Sequence, residues 1–219
     1  MRMPRATVMK VAAMEARNRL GEDLVAACPA GAGSPALEAA GLPARRPSRL
    51  DRLLATDRAV LLAFRRWHGP WRTRLALALT RAGDGGGWTA MAFALVCTGT
   101  REGMRLGLRL GLAALLATLA SQALKRGLTR ARPARAIEGF RALARDPDAF
   151  SFPSGHTAAA FAVTVALAGA PHGLGPAALV LAGGIGLSRV YLGAHYPLDV
   201  AAGAALGAAV GLLPRLALL

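Results

Sequence analysis

Ser188-Arg189-Val190-Tyr191-Leu192-Gly193-Ala194-His195-Tyr196-Pro197-Leu198-Asp199 sits where one apolar run, Leu174 to Leu187, ends and another, Leu198 to Leu213, begins. Arginine, histidine and aspartate at the mouth of such runs are costly unless they have work or a partner. Two membrane-crossing helices joined by a polar corner account for them. His195 and Asp199 are four apart, so one helical turn can bring imidazole and carboxylate together. A carboxylate that accepts one ring N–H fixes the tautomer and leaves the other nitrogen free to attack. Arg189 adds a planar fork suited to phosphate oxygens. The bland alternative is a structural ion pair between Arg189 and Asp199.

The composition around this stretch is that of a membrane protein. Apolar residues make up 54% of the chain and charged ones only 18%, which argues against a soluble domain. Ala, Leu and Gly abound and aromatics are scarce, so the elements are helices. Lys and Arg outnumber Asp and Glu by 27 to 12, and nearly all of this charge lies outside the apolar runs. Basic flanks and an anionic substrate fit that pattern. Nucleic acid is not the expected partner, because the arginines alternate with membrane-like segments and no recognition motif appears. Cys28 and Cys97 are too few and too differently placed for a disulfide framework or a zinc site.

Three regions follow in order. Residues 1–47 read as a flexible basic tail, with a loose amphipathic pattern from Met9 to Leu24. Residues 48–84 read as an interfacial helical region. Ser48 is an N-cap, with Asp51 three residues later in the place of the usual Glu. Trp67, His68 and Trp71 flank Gly69-Pro70 as a turn at the membrane surface. Gly83-Asp84-Gly85-Gly86-Gly87 lacks the Gly-Lys-Ser/Thr ending of a phosphate loop and reads as a turn. Residues 85–219 form the transmembrane core of an all-α bundle of about five spans. These are Gly86 to Gly99, Arg105 to Leu124, His156 to Ala170, Leu174 to Leu187, and Leu198 to a stop at Pro214. Glycine recurs every fourth residue at Gly103, Gly107 and Gly111, and again at Gly203, Gly207 and Gly211. Both stripes are expected to face other helices rather than lipid.

Because spans alternate direction, Lys125, Ser154 and His195 fall at one membrane face. Lys125 and Arg132 are cations able to neutralise phosphate oxygens; alone they would be a positive flank. Ser154 is a natural N-cap, and Gly155 lets backbone come close to a ligand. A helix start also favours an anion. His156 can protonate a leaving oxygen.

Lys125, six residues, Arg132-Pro133; then Pro153-Ser154-Gly155-His156; then Ser188-Arg189, five residues, His195, three residues, Asp199: this set resembles the type 2 phosphatidic acid phosphatase superfamily, which includes the vanadium-dependent haloperoxidases. The resemblance covers Lys125 to Asp199. It implies that His195 attacks phosphorus to form a phosphohistidine while Asp199 holds the ring, and that His156 protonates the leaving group. Lys125, Arg132, Arg189, Ser154 and the Gly155 amide would bind the phosphoryl oxygens. No cofactor or metal is implied, and the sequence shows no carboxylate cluster suited to magnesium.

The expected activity is hydrolysis of a lipid phosphate or diphosphate, such as a polyprenyl diphosphate, phosphatidate, phosphatidylglycerophosphate or polyprenyl-phosphosugar. The expected partners are that substrate and the lipids of the cell membrane, which the chain crosses several times. A vanadate haloperoxidase, and a transporter or scaffold with a silent site, are the other readings. The loop arginines Arg126, Arg130, Arg135, Arg141 and Arg145 favour the cytoplasm, whereas the resemblance favours an outward site. The membrane face, like the oligomeric state, stays open.

Overall fold

In a computed structural model of the chain, residues 47–144, 148–171 and 173–218 are described. The tail expected over residues 1–47, Pro47 apart, therefore lies outside them, as do Arg145 and Asp146. The chain divides into two units between Ala55 and Thr56. In the first, the described residues hold the start of helix α1 (Arg49–Phe64). The Ser48 N–H donates to Asp51 Oδ2 at 2.8 Å and the Asp51 N–H to Ser48 Oγ at 3.1 Å. This reciprocal cap is the one the Ser48–Asp51 spacing predicts.

The second unit carries the end of α1 and then α2 (Pro70–Ala82), α3 (Gly85–Val96), α4 (Arg101–Gly127), α5 (Gly155–Ala166), α6 (Leu174–Tyr191) and α7 (Pro197–Ala217). Helices α4, α6 and α7 are long and apolar enough to cross a membrane; α3 and α5 are apolar but shorter. Among the described residues the named elements are thus all helical, as expected of a membrane helix bundle. Large apolar side chains such as Phe93, Leu119, Val180 and Leu213 point outward, as lipid-facing residues do.

The bundle departs from expectation at several helix ends: α3 stops at Val96 and α5 at Ala166, short of Gly99 and Ala170, and α6 runs past Leu187 to Tyr191. Helix α4 starts at Arg101, capped by Thr100, whose hydroxyl accepts the Gly103 N–H at 2.9 Å. It also runs on to Gly127, so Lys125 stands on a helix rather than in a loop. Helix α7 does not stop at Pro214 but continues to Ala217. Proline deprives one carbonyl of its donor, and within the final turn that loss is small. The segment expected as one long loop, Lys125 to Phe152, contains the single helical turn Pro133–Ala136 and an antiparallel bridge between Ala131 and Phe150.

Small residues set the centre. Ala113 and Ala117 of α4 meet Ala158, Ala162 and Ala166 of α5 in one buried cluster. A Cβ on Gly203 would come 2.5 Å from the Ser154 carbonyl, and on Gly207 or Gly211 it would collide with the Ala158 or Ala162 carbonyl. A Cβ on Gly107 would come 2.6 Å from the Ala92 carbonyl of α3. Both glycine stripes therefore face helices. Gly207→Leu is expected to cost on the order of 3 kcal/mol or more, because the obstacle is backbone that cannot swing aside. The check is the yield of monodisperse protein after detergent extraction, which should collapse; normal yield would count against tight α5–α7 contact.

Candidate active site

His195 lies in the corner between α6 and α7 and is 1% exposed. The Ala194 and His195 N–H groups both donate to the Arg189 carbonyl, at 3.1 and 3.3 Å. Gly193 makes the turn possible. Its φ of 71° is in the left-handed region, and a Cβ there would meet the Phe140 ring at 2.7 Å.

Asp199, in the first turn of α7, is fully buried. Its Oδ2 accepts the Tyr196 N–H at 2.9 Å and lies 3.6 Å from His195 Nδ1. That gap is just too long for a hydrogen bond, and Nδ1 has no nearer partner. On the other side of the ring, Nε2 is 3.4 Å from Arg132 Nη1. A guanidinium only donates, so Nε2 presents its lone pair to Arg132 and the ring proton belongs on Nδ1, facing Asp199. Burial pushes His195 down to about 4; Asp199 opposes this, and the charges of Arg189 and Arg132 add to it. At neutral pH the ring is a neutral imidazole with its free nitrogen toward a cation.

Lys125 and Arg132 converge on one carboxylate. Lys125 Nζ donates to Asp148 Oδ2 at 2.6 Å, and Arg132 Nη2 is 3.9 Å from the same oxygen. Arg132 also donates from Nε to the Asp148 carbonyl at 2.7 Å and from Nη1 to the Ala194 carbonyl at 2.9 Å. Burial would raise the Asp148 carboxyl, but Lys125, Gln122 and Arg132 together hold it below the usual carboxylate range. An anionic oxygen between Lys125 and Arg132 is thus well accommodated. A cavity of about 530 Å³, lined by Arg132, Arg135, Arg141, Phe140 and Ala194, adjoins this place. Arg189 is 2% exposed, and its Nη1 donates to Thr80 Oγ1 of α2 at 2.5 Å.

Ser154 occupies the N-cap position of α5, but its side chain makes no cap hydrogen bond. The expected cap is replaced: Thr157 Oγ1 donates to Ser154 Oγ at 2.9 Å. The Ser154 N–H reaches the Asp199 carbonyl at 3.0 Å, which brings the start of α5 to the start of α7. Gly155 follows, where a Cβ would lie 3.3 Å from Ser121 Oγ. His156 is half-buried, and its Nε2 is 2.7 Å from Asp84 Oδ1.

Lys125, Arg132, His195, Asp199 and the Ser154 backbone are thus brought together directly. Arg189 joins them through its charge on His195, and His156 is fixed by α3's N-cap residue instead. Sequence reasoning missed the acidic partners. Asp84 read as part of a glycine turn, and Asp148 lay in the long loop with nothing in its spacing to single it out. Asp57 of α1 was hidden in an arginine-rich amphipathic stretch. It is 4% exposed, and its Oδ2 is 2.6 Å from Arg130 Nη2. Arg130 Nη1 lies 2.7 Å from Asp199 Oδ1. His68, read as an isolated interfacial residue, instead meets the Tyr191 carbonyl through Nε2 at 3.0 Å.

The family description of the PAP2 superfamily matches residues 106–217, just over half of the chain. Decaprenylphosphoryl-5-phosphoribose phosphatase of Mycobacterium tuberculosis is 49% identical over 65 residues, 30% of this chain and 36% of that protein. Bacitracin transport permease protein BcrC of Bacillus licheniformis is 49% identical over 57 residues, 26% of this chain and 28% of that protein. The chain thus spans about a third of the length of these curated relatives. Among solved structures, Aquifex aeolicus LpxE superposes with a TM-score of 0.62 at 28% identity, covering 71% of this chain and 92% of that one. The first transmembrane PAP2 type phosphatidylglycerolphosphate phosphatase from Bacillus subtilis superposes at 0.60 and 26% identity, covering 75% and 85%.

Proposed function

Because the chain belongs to the PAP2 superfamily, we propose that it is an integral membrane phosphatase that removes a phosphoryl group from a lipid phosphate or diphosphate through His195. The observation that carries this reading is the His195 ring. Its Nε2 faces Arg132 at 3.4 Å, and its Nδ1 faces the Asp199 carboxylate. A neutral imidazole so held is a competent nucleophile.

The phosphoryl oxygens take the place now filled by the Asp148 carboxylate, between Lys125 and Arg132. Arg189, Ser154 and the Gly155 amide complete the cradle. Fixed cations of this kind stabilise charge as it develops on the transferring group. Nε2 attacks phosphorus, a P–N bond forms, and the bond from phosphorus to the lipid-bearing oxygen breaks. His156 gives that oxygen a proton. Water then attacks the phosphohistidine and passes a proton to His156. The P–N bond breaks and inorganic phosphate leaves. Asp199 balances the positive charge on the ring throughout. The arginine and lysine side chains perform the neutralisation, so the reaction needs no bound metal.

The decaprenylphosphoryl-5-phosphoribose and phosphatidylglycerolphosphate phosphatases named above suggest two of the substrates to try, and the family resemblance the other two. Purified protein in detergent should release inorganic phosphate from at least one of a polyprenyl diphosphate, phosphatidate, phosphatidylglycerophosphate and a polyprenyl-phosphosugar. Orthovanadate should inhibit, because it resembles the five-coordinate phosphorus of the transition state. EDTA should leave the rate unchanged. Silence on the whole panel would favour a scaffold, and loss of activity with EDTA would overturn the metal-free cradle.

A further inference from the structure

The carboxylate that steadies the proposed nucleophile is itself gripped by a cation, and that cation has a second anionic partner from a distant part of the chain. Arg130 Nη1 contacts Asp199 Oδ1 at 2.7 Å and Nη2 contacts Asp57 Oδ2 at 2.6 Å. Asp57 Oδ1 accepts the Leu198 N–H at 2.8 Å, so this residue also holds the first turn of α7. The Arg130 guanidinium lies 4.0 Å from the centroid of the Tyr196 ring, which fixes its plane. Burial alone would lower the Arg130 pKa, but the two carboxylates raise it above its ordinary value, so the group is a permanent cation. Asp57 stands outside residues 106–217, the part matched by the family description.

We propose that Asp57 and Arg130 are positioning residues for the His195–Asp199 pair, Arg130 fixing the Asp199 carboxylate and Asp57 offsetting the charge that Arg130 would otherwise impose on it. The inference rests on the reading of His195 as nucleophile. The charge count gives its logic. Arg130 alone would cancel Asp199 and leave nothing to balance the positive ring that forms on phosphoryl transfer. With Asp57 present, the group of three carries one net negative charge next to His195. Arg130 thus supplies geometry, and Asp57 returns the electrostatic support that this geometry would remove. Neither residue belongs to the proposed phosphoryl cradle, so the effect belongs in kcat rather than KM.

The test uses full-length protein with the best substrate of the panel, and kcat is expressed per phosphoenzyme-competent molecule. Asp57→Asn should lower kcat about tenfold, as loss of an outer partner of a functional imidazole does, with KM within about twofold. The double variant Asp57→Asn with Arg130→Gln restores the net negative charge. It should regain at least about threefold in kcat over Asp57→Asn alone. A purely structural role predicts the opposite, because two lost contacts are worse than one. If Asp57→Asn does not purify as folded protein, Arg130→Lys carries the test. An ammonium cannot fork across both carboxylates, so kcat should again fall about tenfold with KM unchanged. An unaltered kcat in the testable variant, or a double variant no faster than Asp57→Asn, would overturn the proposal. His195→Ala is run beside them. If that variant still turns over, the nucleophile reading has failed; if it is dead while Asp57→Asn is normal, only the present inference has.

Discussion

His195→Ala is expected to lower kcat by at least about ten-thousandfold, while the protein still inserts and purifies. The loss is that large because the charged groups beside the ring cannot replace it: Arg132 is a cation, and Asp199 is an acceptor already held by the Tyr196 N–H. The ring is buried but small, and its removal leaves only a modest cavity, so folding survives. Phosphate release and alkali-quenched labelling with radioactive substrate measure the effect together, the quench being kept alkaline because a P–N bond is lost in acid. Both should vanish, and turnover above a hundredth of the parent would remove His195 from the role.

A pH profile adds an independent check. Only the neutral ring can attack, and burial pushes its pKa down to about 4. Activity is therefore fully present near neutrality and is lost as pH falls through about 4, not through the ordinary histidine value near 6.5. The stability sign agrees. The unfolded chain takes up this proton first, so acidification below the unfolded value favours unfolding. An acid limb at 6.5 that His195 governs would mean that the ring is better solvated than its burial implies.

Arg189→Lys should lower kcat/KM by about a hundredfold or more, the scale seen when one preorganised donor is taken from a charged transition state. The substitution keeps the positive charge and the main chain, whose carbonyl receives the Ala194 and His195 N–H groups. What it loses is the planar fork, one arm of which is spent on Thr80 Oγ1. Vanadate affinity should weaken in parallel, because vanadate meets the same donors. A variant within threefold of the parent in both measures would show that Arg189 serves the loop and not the phosphoryl group.

The sequence made the apolar helices legible because hydropathy is a local property, and it made the three motif segments legible because each is short. Arg189, His195 and Asp199 lie within one turn and a corner, so spacing alone nominates them. The contacts that orient them were not legible. Thr80 is 109 positions from Arg189, Asp57 is 73 from Arg130, and Asp84 is 72 from His156. All three partners lie in or just after α1 and α2, whose mixed arginine and leucine pattern says that a helix forms but not which side meets the bundle. Asp148 escaped because its role depends on Lys125 standing on α4, and the helix outran its expected end. Ser154 was read correctly as a cap position, but Thr157 competes for its hydroxyl, a rivalry that spacing does not rank.

Helix α3 also bears on the shape of the bilayer. Its 12 residues rise only about 18 Å, at 1.5 Å each, against a hydrocarbon layer of about 30 Å. Phe93, 69% exposed, faces outward there. A helix of this length bridges that layer only where the bilayer thins or flanking residues complete the crossing, and its Asp84 end is the one that holds His156. Under the proposed function, turnover should therefore depend on acyl-chain length as well as on the headgroup, which a substrate series differing only in tail length measures.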